Sequence, residues 1–120
     1  MFEDVLSKKV IEVVEELSQS LSNFYLGGWT GLALQLGHRR SLDLDFFSKE
    51  LINPDVLLKK IAADKILFAR EGTIHCEKNG IKLSFLFYET PLIYHPIGWR
   101  KINIADWRDI TAEKFKAISQ

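Results

Sequence analysis

Apolar positions recur at three- and four-residue steps near the start of the chain: Val5, Leu6, Val10, Ile11, Val14 and Leu17, with Glu12, Glu15 and Glu16 between them. That period predicts an amphipathic helix over residues 3–20, packed as scaffold against a sheet. Ser22-Asn23 breaks it, and Phe24-Tyr25-Leu26 reads as a short buried strand ending at Gly27-Gly28. Residues 30–36 form a short helix, apolar on nearly every side, with Gly37 as its C-cap. After a basic loop, His38-Arg39-Arg40-Ser41, the pattern becomes alternation: Leu44 and Phe46 face a core, and Asp43 and Asp45 share the opposite face.

Asn53-Pro54-Asp55 carries the signals of a helix start, with Val56, Leu57, Ile61 and Ala62 facing inward. Residues 66–70 and 73–77 read as strands, and Lys78-Asn79-Gly80 as a hairpin turn. The clearest strand spans 81–88. Ile81, Leu83, Phe85 and Phe87 lie on one face, and Lys82, Ser84, Leu86 and Tyr88 on the other. Both faces are largely apolar, which predicts a central position. Residues 90–99, with Pro91 and Pro96, read as a loop, and 101–105 as a short edge strand. Asp109 is the expected cap of a last helix, 110–118, with Ile110, Lys114 and Ala117 on one stripe. The expectation is an α+β fold, a mixed twisted sheet flanked by helices.

Composition narrows the class. A length of 120 residues suits one domain spanning 1–120, and 47% hydrophobic with 27% charged residues is ordinary for a globular protein. Lys+Arg and Asp+Glu are both 16, so a chain of zero net charge is not built for bulk coating of nucleic acid, although a local basic patch is compatible with it. The single cysteine, Cys76, leaves no intramolecular disulfide and points to a cytoplasmic location. No leader and no apolar run of membrane length is visible, so no membrane partner is expected. His75, Cys76 and His95 do not have a metal-ligand spacing. Cys76 reads as a small buried residue, and Trp99 and Trp107 as core or interface anchors.

The chemistry concentrates between Phe24 and Phe47. Two carboxylates on one strand face repel, which is unfavourable unless a hard cation such as Mg²⁺ sits between them. The glycines precede a helix N-terminus, whose backbone N–H groups and dipole attract anions. A cation site facing a phosphate site suggests phosphoryl or nucleotidyl transfer. The plain alternative is that Asp43 and Asp45 are solvated on an edge strand, although Asp is poor in strand interiors.

These residues carry a resemblance. The run Gly28-Trp29-Thr30-Gly31-Leu32-Ala33-Leu34-Gln35-Leu36-Gly37-His38-Arg39-Arg40-Ser41-Leu42-Asp43-Leu44-Asp45-Phe46-Phe47 resembles the signature block of the AbiEii/AbiGii-type nucleotidyltransferases, within the DNA polymerase β-like nucleotidyltransferase superfamily. Gly80-Ile81-Lys82-Leu83-Ser84-Phe85 is similar to the family's Gly-hydrophobic-Lys strand, and Asp109-Ile110-Thr111-Ala112-Glu113-Lys114 to its Asp-Ile-x-x-x-Lys helix start. The resemblance implies a minimal nucleotidyltransferase fold that transfers a nucleoside monophosphate from an NTP to a hydroxyl acceptor, RNA or protein. Mg²⁺, or Mn²⁺ in its place, would be held by Asp43 and Asp45 as the catalytic pair. Gly27, Gly28, Thr30, His38, Arg39, Arg40, Ser41, Lys82 and Lys114 are the implied nucleotide and phosphate contacts. Proteins of this class are often the toxin half of a toxin–antitoxin or phage-defence pair, so a cognate antitoxin is an implied partner.

Three departures set the alternative. The second glycine of the expected pair falls on Trp29 when counted back from the Asp pair. The place of a third carboxylate on the 81–88 strand holds Ser84, and Glu77, the nearest acid, lies on another strand. Loss of general-base help is worth roughly 10²–10⁴-fold. The family's C-terminal helical region is expected to be missing after Gln120, which would leave an apolar seam on the last helix and favour a homo-oligomer. The alternative is therefore a catalytically inactive domain used as a nucleotide-binding or protein-interaction module.

Overall fold

The computed structural model describes residues 1–37 and 43–119, with side chains as far as 116. The first helix is shorter than its apolar period suggests. Glu3–Val5 forms a separate 3-10 turn, and the Ser7 hydroxyl accepts from the Val10 N–H and restarts the chain as α1, Lys8–Leu17. A second 3-10 turn, Ser18–Ser20, leads to β1, Tyr25–Gly27. The next helix, α2, starts at the glycines and spans Gly28–Leu36; Gly37 ends it in the left-handed conformation, as expected. Then follow β2, Leu44–Ser48, and α3, Pro54–Ile61, capped by the Asn53 side chain with Pro54 in its first turn.

Strands β3 (Lys65–Arg70), β4 (Thr73–Lys78) and β5 (Ile81–Phe87) form a meander. Asn79 and Gly80 both take positive φ, as a two-residue hairpin turn requires. The stretch 90–99 is not all loop, because β6 (Ile97–Trp99) pairs with β7 (Ile102–Ile104). Their turn uses Arg100 and Lys101 at positive φ, residues that carry no turn signal in sequence. Arg100 is held there by the carboxylates of Glu3 and Glu15.

The seven strands form one mixed sheet in the order β3-β4-β5-β2-β1-β7-β6. Parallel pairing joins β2 to β5 and β1 to β7. Strand β5 is internal, as its two apolar faces predict. Strand β7 is internal rather than an edge, because β6 pairs on its outer side.

The main core packs α1 and α3, through Val10, Val14, Leu57 and Ile61, on Leu26, Leu44, Phe46, Leu83 and Phe85 of the sheet. A smaller cluster on the other face joins Tyr25, Phe47, Leu32 and Ala105 to Ile110 of the last helix, α4, Trp107–Ser119. Asp106 starts α4 instead of Asp109: its Oδ1 accepts from the Arg108 N–H at 2.9 Å. Asp109 holds the preceding loop, accepting from the N–H groups of Ile93 and Tyr94. Helix α4 leaves Trp107 and Phe115 exposed, and β3 is exposed along its whole length. No helix among the described residues is long and apolar enough to cross a membrane.

Candidate functional site

The site lies at the end of the sheet where the last residue of β1 meets the starts of β2 and β5, beside α2 and α4. Gly27 of β1 pairs with Asp45 of β2, so the glycine turn sits directly against the second carboxylate. Gly28 has φ +61, and a Cβ there would overlap the Asp45 carboxylate. Both facts require glycine. The close approach puts the N-terminus of α2 beside Asp45, where the expected anion and cation sites meet.

Asp43 lies just before β2 and is exposed, whereas Asp45 is half-buried within it. The buried Thr30 hydroxyl donates to the Asp43 carbonyl and ties α2 to the start of the acidic strand. Burial pushes the Asp45 carboxyl above its ordinary range, and the neighbouring Asp43 adds to the shift; Lys114, the Ser84 hydroxyl and Lys82 oppose it. Two lysines from distant parts of the chain, on β5 and α4, therefore act on the same carboxylate.

Trp29 points its ring towards α4. It is 46% exposed, and the Lys114 ammonium sits 3.8 Å from the centre of its ring. The indole orients one of the site's cations through its π face. Gln35 fixes the same helix pair from behind: its Nε2 donates to the carbonyls of Gly31 and Ala105, and its Oε1 accepts from the Trp107 N–H at 2.7 Å. His38, Arg39, Arg40 and Ser41 lie outside the described residues.

Ser84 of β5 is the register partner of Asp45. Two neighbours escaped the sequence reading. Burial pushes the carboxyl of Glu113 on α4 upward, Lys114 opposes the shift, and Asp45 adds to it. The spacing of Glu113 from Ile110, one helical turn back, was the available signal. His75 pairs with Ser84 across the β4–β5 hairpin, and its Nδ1 lies 2.8 Å from the Ser84 hydroxyl. The Asn79-Gly80 turn sets that register and was the signal for it. Among the described residues, no group of three His, Cys, Asp or Glu side chains converges on a metal position. A pair of carboxylates is nonetheless a common Mg²⁺ donor set, because that ion keeps waters and takes further oxygens from substrate phosphates.

No protein-family model matches the chain. It is 32% identical to an uncharacterised protein of Aquifex aeolicus, an alignment covering 96% of this chain and 60% of that protein. The chain thus spans less than two thirds of the length of that relative. Among solved structures, it superposes on a candidate nucleotidyltransferase of Helicobacter pylori with a TM-score of 0.61 and 21% identity, over 89% of this chain and 55% of that one. JHP933, also from Helicobacter pylori, gives a TM-score of 0.59 at 21% identity, over 89% of this chain and 53% of that one. A candidate nucleotidyltransferase of Thermotoga maritima gives 0.63 at 12% identity, over 92% and 83% of the two chains. At these identities the likeness is one of fold: the chain has the nucleotidyltransferase fold.

Proposed function

We propose that this chain is the nucleotide-binding and catalytic domain of a metal-dependent nucleotidyltransferase. The observation that carries the reading is the meeting of the Gly27-Gly28 turn, Asp43, Asp45, Lys82 and Lys114 at one sheet end. The reaction is attack by an acceptor hydroxyl on the α-phosphorus of an NTP, forming the new ester bond and releasing pyrophosphate. Asp43 and Asp45 would hold Mg²⁺, or Mn²⁺ in its place. When bound, the ion would supply charge neutralisation to the oxygens of the transferring phosphoryl group. The α2 N-terminus receives the phosphates through backbone N–H groups, and Lys82 and Lys114 balance their charge. Arg39, with His38 and Arg40, extends this reading from the sequence resemblance, as does the toxin half of a toxin–antitoxin or phage-defence pair.

Titration calorimetry with Mg²⁺ and each NTP tests the proposal. Binding is expected for the native chain and is expected to vanish in the Asp43→Ala, Asp45→Ala double variant. No binding to any NTP, or equal binding by the double variant, sinks it. Ser84 in register with Asp45 favours a second reading, a domain that binds nucleotide without turnover. Under that reading, label from α-³²P NTPs stays unincorporated while nucleotide binding persists.

A further inference from the structure

A row of side chains crosses the sheet away from the carboxylates. Asp45 on β2 is in register with Ser84 on β5, and Ser84 with His75 on β4. All three share one face, because their strand neighbours Leu44, Phe46, Leu83, Phe85, Ile74 and Cys76 are buried in the core on the other. Ser84 is 6% exposed, it stands beside Asp45 as its register partner on that face, and the His75 Nδ1 is 2.8 Å from its hydroxyl oxygen.

Hydrogen-bond bookkeeping orders the row. A hydroxyl has one proton to donate and an ionised carboxylate can only accept. A Ser84 proton turned to the adjacent Asp45 leaves the hydroxyl oxygen only its lone pairs for His75. That oxygen then accepts from Nδ1–H of His75, which leaves Nε2 as the ring's acceptor.

We infer that His75 is a positioning residue that holds the Ser84 hydroxyl on Asp45 and thereby keeps this carboxylate aimed at the cation site. Without the imidazole N–H, the serine hydroxyl is a free rotor, and a half-buried carboxylate beside Asp43 loses its fixed donor. Ser84 and His75 thus contribute orientation at the place where the sequence comparison expected a third charge. Partners of this kind typically change metal affinity by about 10–100-fold.

This inference rests on the cation site proposed above, so the test measures Mn²⁺ affinity directly, from the electron paramagnetic resonance signal of the free ion, with the full chain and Mn²⁺ alone. His75→Ala and Ser84→Ala are each expected to weaken binding by about 10-fold or more. The double variant is expected to be no weaker than either single one, because both break the same connection. His75→Asn, which returns an N–H near the place of Nδ1, is expected to restore affinity, and His75→Gln, whose N–H reaches the place of Nε2, is not. Melting curves on each variant separate folding from binding. If the native chain binds no Mn²⁺, the cation site falls and this role with it. If the native chain binds and His75→Ala binds equally, if Asn fails to rescue, or if the two losses add, only the positioning role is overturned.

Discussion

Gly28 and Asp45 are the residue pair on which the site turns. An alanine at Gly28 would hold a left-handed φ, at about 1–2 kcal/mol, and would also drive its Cβ into the Asp45 carboxylate. Gly28→Ala should therefore destabilise the chain by more than that backbone term in urea titration, and abolish Mn²⁺ binding. The Asp45 carboxyl gives a pH prediction. Its folded pKa is raised by burial and by Asp43, so the folded state holds the proton more tightly than the unfolded chain. That contribution is complete below the ordinary carboxylate range and is lost as pH rises through the raised value. In EDTA, Asp45→Asn should melt higher than the native chain at pH 8, and the gap should close towards pH 4. Equal melting at both values would contradict the shift.

At the level of elements, the start of α4 decides whether Lys114 and Glu113 reach the site. Asp106 caps it and is held ionised by Arg108, its strongest influence. Asp106→Ala should lose about 1 kcal/mol, within the usual range for a helix cap, in chemical denaturation. Nucleotide affinity should fall with it. Glu3 offers an element-scale titration. Its hydrogen bond from Arg100, then that from Trp99, lower its pKa from 4.5 to about 2. A lowered carboxylate contributes stability above its ordinary value, which is lost as pH falls through the folded one. The melting difference between the native chain and Glu3→Gln should therefore shrink as pH drops from 4.5 towards 2. This pairing ties the first 3-10 turn to the β6–β7 hairpin, two segments nearly the whole chain apart.

For the molecule as a whole, Phe85 sits on an internal strand of the sheet, fully buried and stacked on Phe46 at 5.5 Å. Phe85→Ala should cost about 3–5 kcal/mol. That is a large share of the roughly 5–15 kcal/mol typical of a domain, so much of the variant should be unfolded at 37 °C by circular dichroism. The same strand supplies Ser84 and Lys82 to the opposite face. The core and the site are thus two faces of β5, and the alternation of its residues divides them.

The parts legible from sequence were those with local causes. The Asn53 cap, the Gly37 C-cap, the Asn79-Gly80 turn and the two-faced apolar pattern of β5 depend on neighbours a few residues away, so residue order alone determined them. The glycine turn before a helix was likewise readable, but of the two carboxylates expected on one strand only Asp45 lies in β2; Asp43 stands just before it, so alternation does not fix its direction. Other features needed the tertiary structure because their causes are distant in the chain. Arg100 and Lys101 turn the chain without glycine because Glu3 and Glu15 hold Arg100 in place. Strand β7 is internal only because β6 folds back over it. Trp29, which stands where the resemblance expects a second glycine, meets Lys114 because α4 packs beside α2. Strand order, finally, put Ser84 between Asp45 and His75: a hydrogen-bonded row across three strands depends on which strands lie side by side, and no local pattern encodes that.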